Sequence, residues 1–340
     1  MRSIFDLKLE ELEDYFVFIG EKKFKAKQVF EWIYRHKIYD FHKMSNISLS
    51  LQENLIQNFS INMLIVQKVQ ESELTNKYLF KLEDGNFIEA VLMKHDYGNS
   101  VCISSQVGCN MGCTFCESGR LKKVRDLTTG EMVRQIIMIE NLFKERISSV
   151  VVMGIGEPFD NYDNVMRFVR IINDPLGMAI GARHITISTS GLVPMIDAYA
   201  KEDIQTNLAI SLHAPNDELR SKIMKVNNAY NIETLMKSIN NYINLTNRRV
   251  TIEYLLLKDV NDTSACAKEL GHLLHGMNVY VNLIPYNETS HIEYKTSPNK
   301  NVMNFYDILK HQGINVTVRK RFGDEIDAAC GQLRAKEVDL

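Results

Sequence analysis

Hydrophobic positions change their period twice along the chain, and each change predicts a different kind of element. Up to about residue 58, apolar side chains recur at helical spacing. Val29, Phe30, Ile33 and Tyr34 share one face, with Phe16 and Phe24 as expected packing partners. From 62 to 103 the pattern turns to short apolar runs. Strands are expected at 62–71, 78–82, 87–93 and 100–104, with a turn at Asp84-Gly85-Asn86. From Leu127 onward strand and helix alternate. Thr128 and Glu131 carry a capping-box signature, and Met132, Ile136, Ile139 and Phe143 follow on one helix face. Apolar runs then come at 149–153, 184–188, 207–212, 250–257, 279–283 and 315–318, most of them separated by helical patterns. This alternation predicts an α/β fold with a parallel sheet, a barrel or a doubly wound sheet, whose functional loops gather at the carboxyl ends of the strands. Three units are expected: a helical segment 1–60, a β-rich connecting segment 61–100, and an α/β segment 101–340.

Polar residues interrupt the apolar pattern at just those strand ends. Gly154-Ile155-Gly156-Glu157-Pro158, Ser188-Thr189-Ser190, Ser211-Leu212-His213 and Asn287 follow four of the runs, which suggests a shared pocket. Composition adds limits. With 340 residues, 45% hydrophobic and 24% charged, the chain has ample material for a core. No apolar run approaches the length of a membrane span and no signal peptide is read, so a cytoplasmic protein without membrane contact is expected. The net charge of −2 leaves local patches as the only route to nucleic acid. Between residues 20 and 43, seven Lys/Arg face three Asp/Glu among aromatic residues, which suits either an RNA contact or a solvated helix face.

Six cysteines are too few for a disulfide scaffold, and three of them fall at Cys109, Cys113 and Cys116. CxxxCxxC spacing on a glycine-containing loop can hold three irons of a [4Fe-4S] cubane and leave the fourth iron open. S-adenosylmethionine (SAM) can chelate that open iron through its amino and carboxylate groups. The rival reading is structural zinc, which wants a fourth ligand, Cys102 or His213, since no second Cys-x-x-Cys pair exists. About forty residues on, Gly156 lets backbone approach a ligand and Glu157 offers an acceptor for an ammonium.

Beyond this loop, Cys102-Ile103-Ser104-Ser105-Gln106-Val107-Gly108-Cys109 and Ile326-Asp327-Ala328-Ala329-Cys330-Gly331-Gln332-Leu333 resemble the RlmN/Cfr family of radical-SAM adenine methyltransferases. So do MGIGEP, ISTSGLVP, LAISLHAPND, VNLIPYNE and the N-terminal KFKAKQVFEWIYRHKIYDFHKMSNIS, and the likeness spans essentially the whole chain. It implies a partial (βα)6 radical-SAM barrel with an N-terminal helical accessory domain, one exchangeable [4Fe-4S] cluster and two SAM per turnover. It also implies roles for single residues. Cys330 carries a methyl group as S-methylcysteine, Glu89 accepts a proton, and Cys102 resolves the protein–RNA adduct through a transient disulfide with Cys330. Gly156, Glu157, Ser188, Ser211, Leu212, His213 and Asn287 contact SAM, and Cys109, Cys113 and Cys116 ligate the cluster. Without the resemblance, Cys330 and Cys102 read as small buried residues, Glu89 as a strand-edge carboxylate, and Ser188 and Asn287 as strand-end hydrogen-bonders; Cys266 reads as core.

The implied reaction is methylation at C2 of adenosine 2503 in 23S rRNA, and of tRNA adenine 37 in some members. A second branch methylates C8 of the same adenine and confers antibiotic resistance. Pro158, the Ser188-to-Gly191 run, LAISLHAPND and VNLIPYN resemble the C2 branch, whereas Arg321-Phe322-Gly323 and the bare CNMGCTFC loop look partly like the C8 branch. The stretch 117–125 departs from the glycine-rich form common to both. Lys22–Lys27, Lys122–Arg125 and Arg319–Arg321 are the basic groups expected to meet phosphates. A monomer served by a flavodoxin- or ferredoxin-type electron donor is expected. Two other classes remain open on the residues alone: a zinc-stabilised RNA-binding protein without catalysis, and a radical-SAM enzyme on a non-RNA substrate.

Overall fold

Three short helices build the N-terminal unit: α1 (Leu9–Phe18), α2 (Lys23–Tyr34) and α3 (Leu49–Asn58). The computed structural model describes residues 1–289, 291–319, 326 and 328–333. Val29, Phe30, Ile33 and Tyr34 are buried on one side of α2 and share a core with Phe16. Phe24 does not join them. At 100° per residue it falls off the stripe of 26, 29, 30 and 33, and it stands 52% exposed. A short parallel pairing of Arg2–Ser3 with Phe59–Ser60, which no periodicity signals, closes the unit end to end.

The rest of the chain is built on one ten-stranded sheet. Its strands are β1 (Ile65–Glu71), β2 (Thr75–Lys81), β3 (Phe87–Met93), β4 (Asn99–Ile103) and β5 (Ile147–Val152). They continue with β6 (Ile185–Thr189), β7 (Asn207–Ser211), β8 (Val250–Leu256), β9 (Val279–Pro285) and β10 (Val316–Val318). Spatial order follows chain order without exception. Strands β1 to β4 pair antiparallel. From β4 to β10 every pair is parallel.

Parallel neighbours need crossovers, and helices supply them. They are α4 (Thr129–Phe143), α5 (Tyr162–Asn173), α6 (Val193–Tyr199), α7 (Asp217–Ile223) with α8 (Ile232–Thr246), α9 (Ser264–Leu273) and α10 (Asn299–His311). Strands β4 to β9 with these helices form the expected partial (βα)6 barrel, and β10 adds a short seventh parallel strand. The line drawn at 100/101 falls inside β4, so β1 to β3 continue the barrel sheet. Cys266 is buried in α9, as read. No helix among the described residues is long and apolar enough to cross a membrane.

The helical unit is fastened to the barrel at the start of α4. Asp6 Oδ1 accepts from the Gly130 N–H at 2.6 Å, and Arg35 donates to the Pro175 carbonyl at 2.7 Å. Arg167 pairs with Glu11 across the same seam. Apolar residues of both units belong to one continuous core.

The capping box of α4 forms as its sequence signature predicts. Thr128 Oγ1 accepts from the Glu131 N–H at 3.2 Å, and Glu131 Oε2 accepts from the Thr128 N–H at 2.9 Å. Arg125 adds a two-pronged contact to Glu131 at 2.8 Å for each oxygen. Replacing Thr128 with Ala is expected to cost about 1 kcal/mol of stability, read as a lower urea midpoint at unchanged slope.

Candidate active site

Immediately beyond β4, Ser104 is fully buried and every polar atom it has is used. Its Oγ donates to the Glu89 carbonyl at 2.6 Å and accepts from the Ile155 N–H at 3.0 Å. Its backbone N–H and C=O both meet the Gln135 side chain, at 2.9 and 3.0 Å. Two residues on, Gln106 Oε1 accepts from the Glu157 N–H at 2.9 Å, while its Nε2 donates to Asp126 and Asp160. The 154–158 turn is thus bound to the strand that leads into the cysteine loop. Gly156 adopts φ +113°, and a Cβ there would lie 2.6 Å from Gln106 Cβ, so only glycine fits.

Glu157 is buried, with Oε1 accepting from Phe159 N–H at 3.0 Å and Oε2 from Ser190 N–H at 2.7 Å. Burial raises its pKa, and these backbone donors oppose the rise. The Thr189 and Ser190 hydroxyls act on the same carboxylate and oppose the rise as well.

A cavity of about 910 Å³, counting its open mouth, lies over these strand ends. Cys109, Cys113 and Cys116 line it, as do Gly156, Glu157, Ser188, Ser211 and His213. The cysteine loop is held by Cys109 N–H to Leu121 O at 3.1 Å and Thr114 N–H to Ile223 O at 3.0 Å. Gly108, at φ +75°, passes so close to Lys122 O that a Cβ would lie 2.2 Å from it. Burial raises all three thiols, Cys109 to about 12, and Cys113 is pushed further by Cys116 and Cys109. Loading a metal group here must therefore expel protons.

The donor set fits a cluster with one open iron better than a closed zinc site. Among the described residues, no three His, Cys, Asp or Glu side chains converge to hold a single ion. The two candidate fourth ligands are also spoken for. Cys102 lies outside this cavity, and His213 Nδ1 accepts the Leu255 N–H at 3.0 Å. An accepting Nδ1 leaves the proton on Nε2, which makes His213 a donor and not a ligand. Burial and the Arg220 charge lower its pKa to about 3, so the ring is neutral.

A smaller chamber adjoins the first. Met153, Ile284, Arg319 and Cys330 line both, whereas Cys102 and Asn287 line only the inner one. The Cys330 loop is pinned from the residues just after the cysteine motif. Glu117 N–H donates to Gly331 O at 2.8 Å and Ser118 Oγ to Leu333 O at 2.6 Å. Gln332 closes the turn by accepting from Ala329 N–H at 3.0 Å. Burial, and then Cys330, raise Cys102 to about 12, with Arg319 opposing. All six cysteines are free thiols, so a standing Cys102–Cys330 disulfide is not borne out.

The remaining expected site residues are placed less uniformly. Glu89 is buried on β3, on the face of Val91 and Met93, with Lys77 Nζ 3.5 Å from its carboxylate; it lines neither chamber. Leu212 is fully buried in the core and touches the cavity with no side-chain atom, because alternation turns it away from Ser211 and His213. Asn287 sits in the inner chamber, and its Oδ1 is buried without a hydrogen-bond partner among the described residues. In the basic stretches, Lys123 is paired with Asp126 and Asp160, Arg125 with Asp84 and Glu131, and Lys25 with Glu21. Lys320, Arg321, Phe322, Gly323 and Asp327 lie outside the described residues.

Sequence reading missed Glu253, and it took Arg319 for a phosphate contact where the structure places it on the wall of both chambers. Glu253 lines the main cavity from the middle of β8, accepting from Asn282 Nδ2 at 2.8 Å, and burial raises its pKa. A lone carboxylate inside the apolar run 250–257 was its visible signal.

Residues 103–266 match the Radical SAM superfamily, and residues 3–61 match the Ribosomal RNA large subunit methyltransferase N-terminal domain. A protein of Listeria welshimeri named "Probable dual-specificity RNA methyltransferase RlmN" is 56% identical over 99% of this chain and 94% of its own length. Its namesake in Enterococcus faecalis is 56% identical over 99% of this chain and 97% of its own. The crystal structure of a radical SAM methyltransferase from Sphaerobacter thermophilus matches with a TM-score of 0.94 at 42% identity, covering 99% of this chain and 100% of that one.

The neutral His213 predicts a pH effect. Its folded pKa lies below the unfolded value of 6.5, so the unfolded chain takes up the proton first and stability falls as pH drops from 6.5 toward 3. Urea titrations across that window should show His213→Asn losing less stability than the parent chain, by roughly 1–3 kcal/mol.

Proposed function

Since the chain belongs to the RlmN type of radical-SAM RNA methyltransferases, we propose that it methylates C2 of an adenine in 23S rRNA through a methyl group carried on Cys330. The observation that carries this reading is the position of Cys330 at the junction of two chambers. One is lined by the three motif cysteines and the 154–158 turn, the other by Cys102. A carrier thiol has to face both a radical source and a resolving thiol.

In this reading Cys109, Cys113 and Cys116 hold a [4Fe-4S] cluster, which supplies one-electron cleavage of SAM beside Cys330. Glu157 receives the SAM ammonium, Gly156 lets backbone approach it, and Ser188, Ser211 and the His213 Nε2–H are polar contacts on the other walls. Asn287 is assigned to the incoming base rather than to SAM, because its orphan Oδ1 matches an adenine amino group. Leu212 serves only to set the backbone between Ser211 and His213.

Cys330 sulfur acts first as a nucleophile toward the SAM methyl. A hydrogen atom of that S-methyl group would pass to the 5′-deoxyadenosyl fragment of a second SAM, giving 5′-deoxyadenosine, and the carbon left behind bonds to the electron-poor amidine carbon of the base. Glu89 takes the proton from the substituted carbon, and the unpaired electron of the adduct would return to the cluster as one-electron acceptor, restoring the aromatic base. Cys102, as thiolate, attacks Cys330 sulfur, so the sulfur–carbon bond breaks and a disulfide forms, while the released methylene carbon takes up a proton to become the methyl group of the departing base. A thiol held at about 12 stays protonated until that step, which keeps it from reacting early.

The substrate RNA meets the helical unit 1–60, where Phe18 and Phe24 stand exposed among Lys22, Lys23 and Lys25. The relatives' "dual-specificity RNA methyltransferase" supports a second RNA substrate, for which tRNA is the candidate that the family resemblance implies. A monomer served by a flavodoxin- or ferredoxin-type donor completes the proposal.

Anaerobically reconstituted protein should carry about four irons per chain and convert deproteinised 23S rRNA to 2-methyladenosine by nucleoside mass spectrometry. Appearance of 8-methyladenosine instead would move the chain to the C8 branch. Cys330→Ala should abolish methylation, and Cys102→Ala should accumulate an RNA–protein adduct on denaturing gels; full turnover by either variant would sink the carrier scheme.

A further inference from the structure

Arg220, on α7, is a fully buried guanidinium with no carboxylate within ion-pair distance among the described residues. Its hydrogen-bond partners are neutral. Nε donates to Leu212 O at 3.2 Å, and Nη1 to Asn227 Oδ1 at 3.0 Å. Nη2 donates to Ser190 O at 2.6 Å and Ser211 O at 3.2 Å. Two of these carbonyls belong to residues that line the main cavity, and the third lies between Ser211 and His213. One side chain therefore straps the carboxyl ends of β6 and β7 together.

The same short helix also reaches the cysteine loop. The carbonyl of Ile223, three residues beyond Arg220, accepts the N–H of Thr114, which sits between Cys113 and Cys116. A positive charge buried without a counter-ion is costly, and such a charge persists where an anion is to be met. Cys113, next to Thr114, is the anionic candidate that the Thr114–Ile223 bond ties to the Arg220 helix, whereas Asp217 is linked to Arg220 only through Asn227. Three thiolates around an iron–sulfur core make a net anion, and the SAM carboxylate adds to it.

We propose that Arg220 is a positioning residue for radical generation: its fork fixes the SAM-side strand ends relative to the cysteine loop, and its charge is the buried counter-ion of the cluster. This rests on the assignment of Cys109, Cys113 and Cys116 as cluster ligands. Positive charge favours the form of a redox centre that holds the extra electron, so Arg220 raises the cluster potential. Lysine would keep the charge but not the planar fork, and methionine would keep neither.

The test compares full-length wild type, Arg220→Lys and Arg220→Met after anaerobic reconstitution. The readouts are iron content, cluster midpoint potential by EPR-monitored titration, and SAM affinity by equilibrium dialysis. Arg220→Met is expected to keep its iron, to titrate at a more negative potential, and to bind SAM about tenfold more weakly. Arg220→Lys is expected to regain the wild-type potential while SAM binding stays weakened. Wild-type potential and affinity in Arg220→Met would overturn the proposal. So would loss of iron from both variants, which would mark Arg220 as structural only. Failure of the wild type itself to hold iron would instead count against the ligand assignment.

Discussion

Four segments that are distant in sequence meet at the Ser104 side chain and peptide, and the geometry of the site depends on that meeting. One hydroxyl ties the Glu89 carbonyl to the Ile155 amide, and one glutamine from α4 holds the peptide on both sides. Strand β3, the 154–158 turn and the lead into the cysteine loop thus share one fully buried anchor. An unpaired polar group buried at such a point costs about 1–3 kcal/mol, so the network holds as a unit or fails as a unit.

Around that anchor, charge is used sparingly. Cations on the 117–125 stretch are spent on internal pairs: Lys123 binds Asp126 and Asp160, and Arg125 binds Asp84 and Glu131. These pairs replace the flexibility of a glycine-rich segment with fixed contacts, and they hold the stretch from which Glu117 and Ser118 reach the Cys330 loop. The buried interior keeps Glu157, Glu253 and Arg319 around one cavity, with Arg220 behind its Ser190 and Ser211 wall, so its field is set by a few groups rather than by the chain's net charge of −2.

Much of this was legible from residue order. Short apolar runs located the ten strands, and helical spacing located the N-terminal helices, α4 and α9, since burial of apolar faces is what these patterns encode. The cap at Thr128 and the grouping of Gly156, Glu157, Ser188, Ser211 and His213 around one cavity were readable for similar local reasons. What escaped notice depends on partners far apart in the chain. Arg2 pairs beside Phe59, β1 to β3 join the barrel sheet, and Arg220 gathers carbonyls from two strands. Leu212 and Asn287 show the finer limit. A motif says which residues stand at a strand end, but alternation and loop path decide which chamber, if any, each side chain enters.

The strictly sequential order of the sheet bears on how the protein comes into being. Each strand can add to the one before it as synthesis proceeds, so the cysteine loop and its strand-end partners can fold progressively from the amino-terminal side. The bond between Ser118 and Leu333 spans 215 residues, and nothing local substitutes for it. The cysteine-loop half can therefore take shape on the nascent chain before Cys330 has been translated. A chain that stalls short of Cys330 would lack the loop that lies between the two chambers and leave the three motif cysteines more open to solvent.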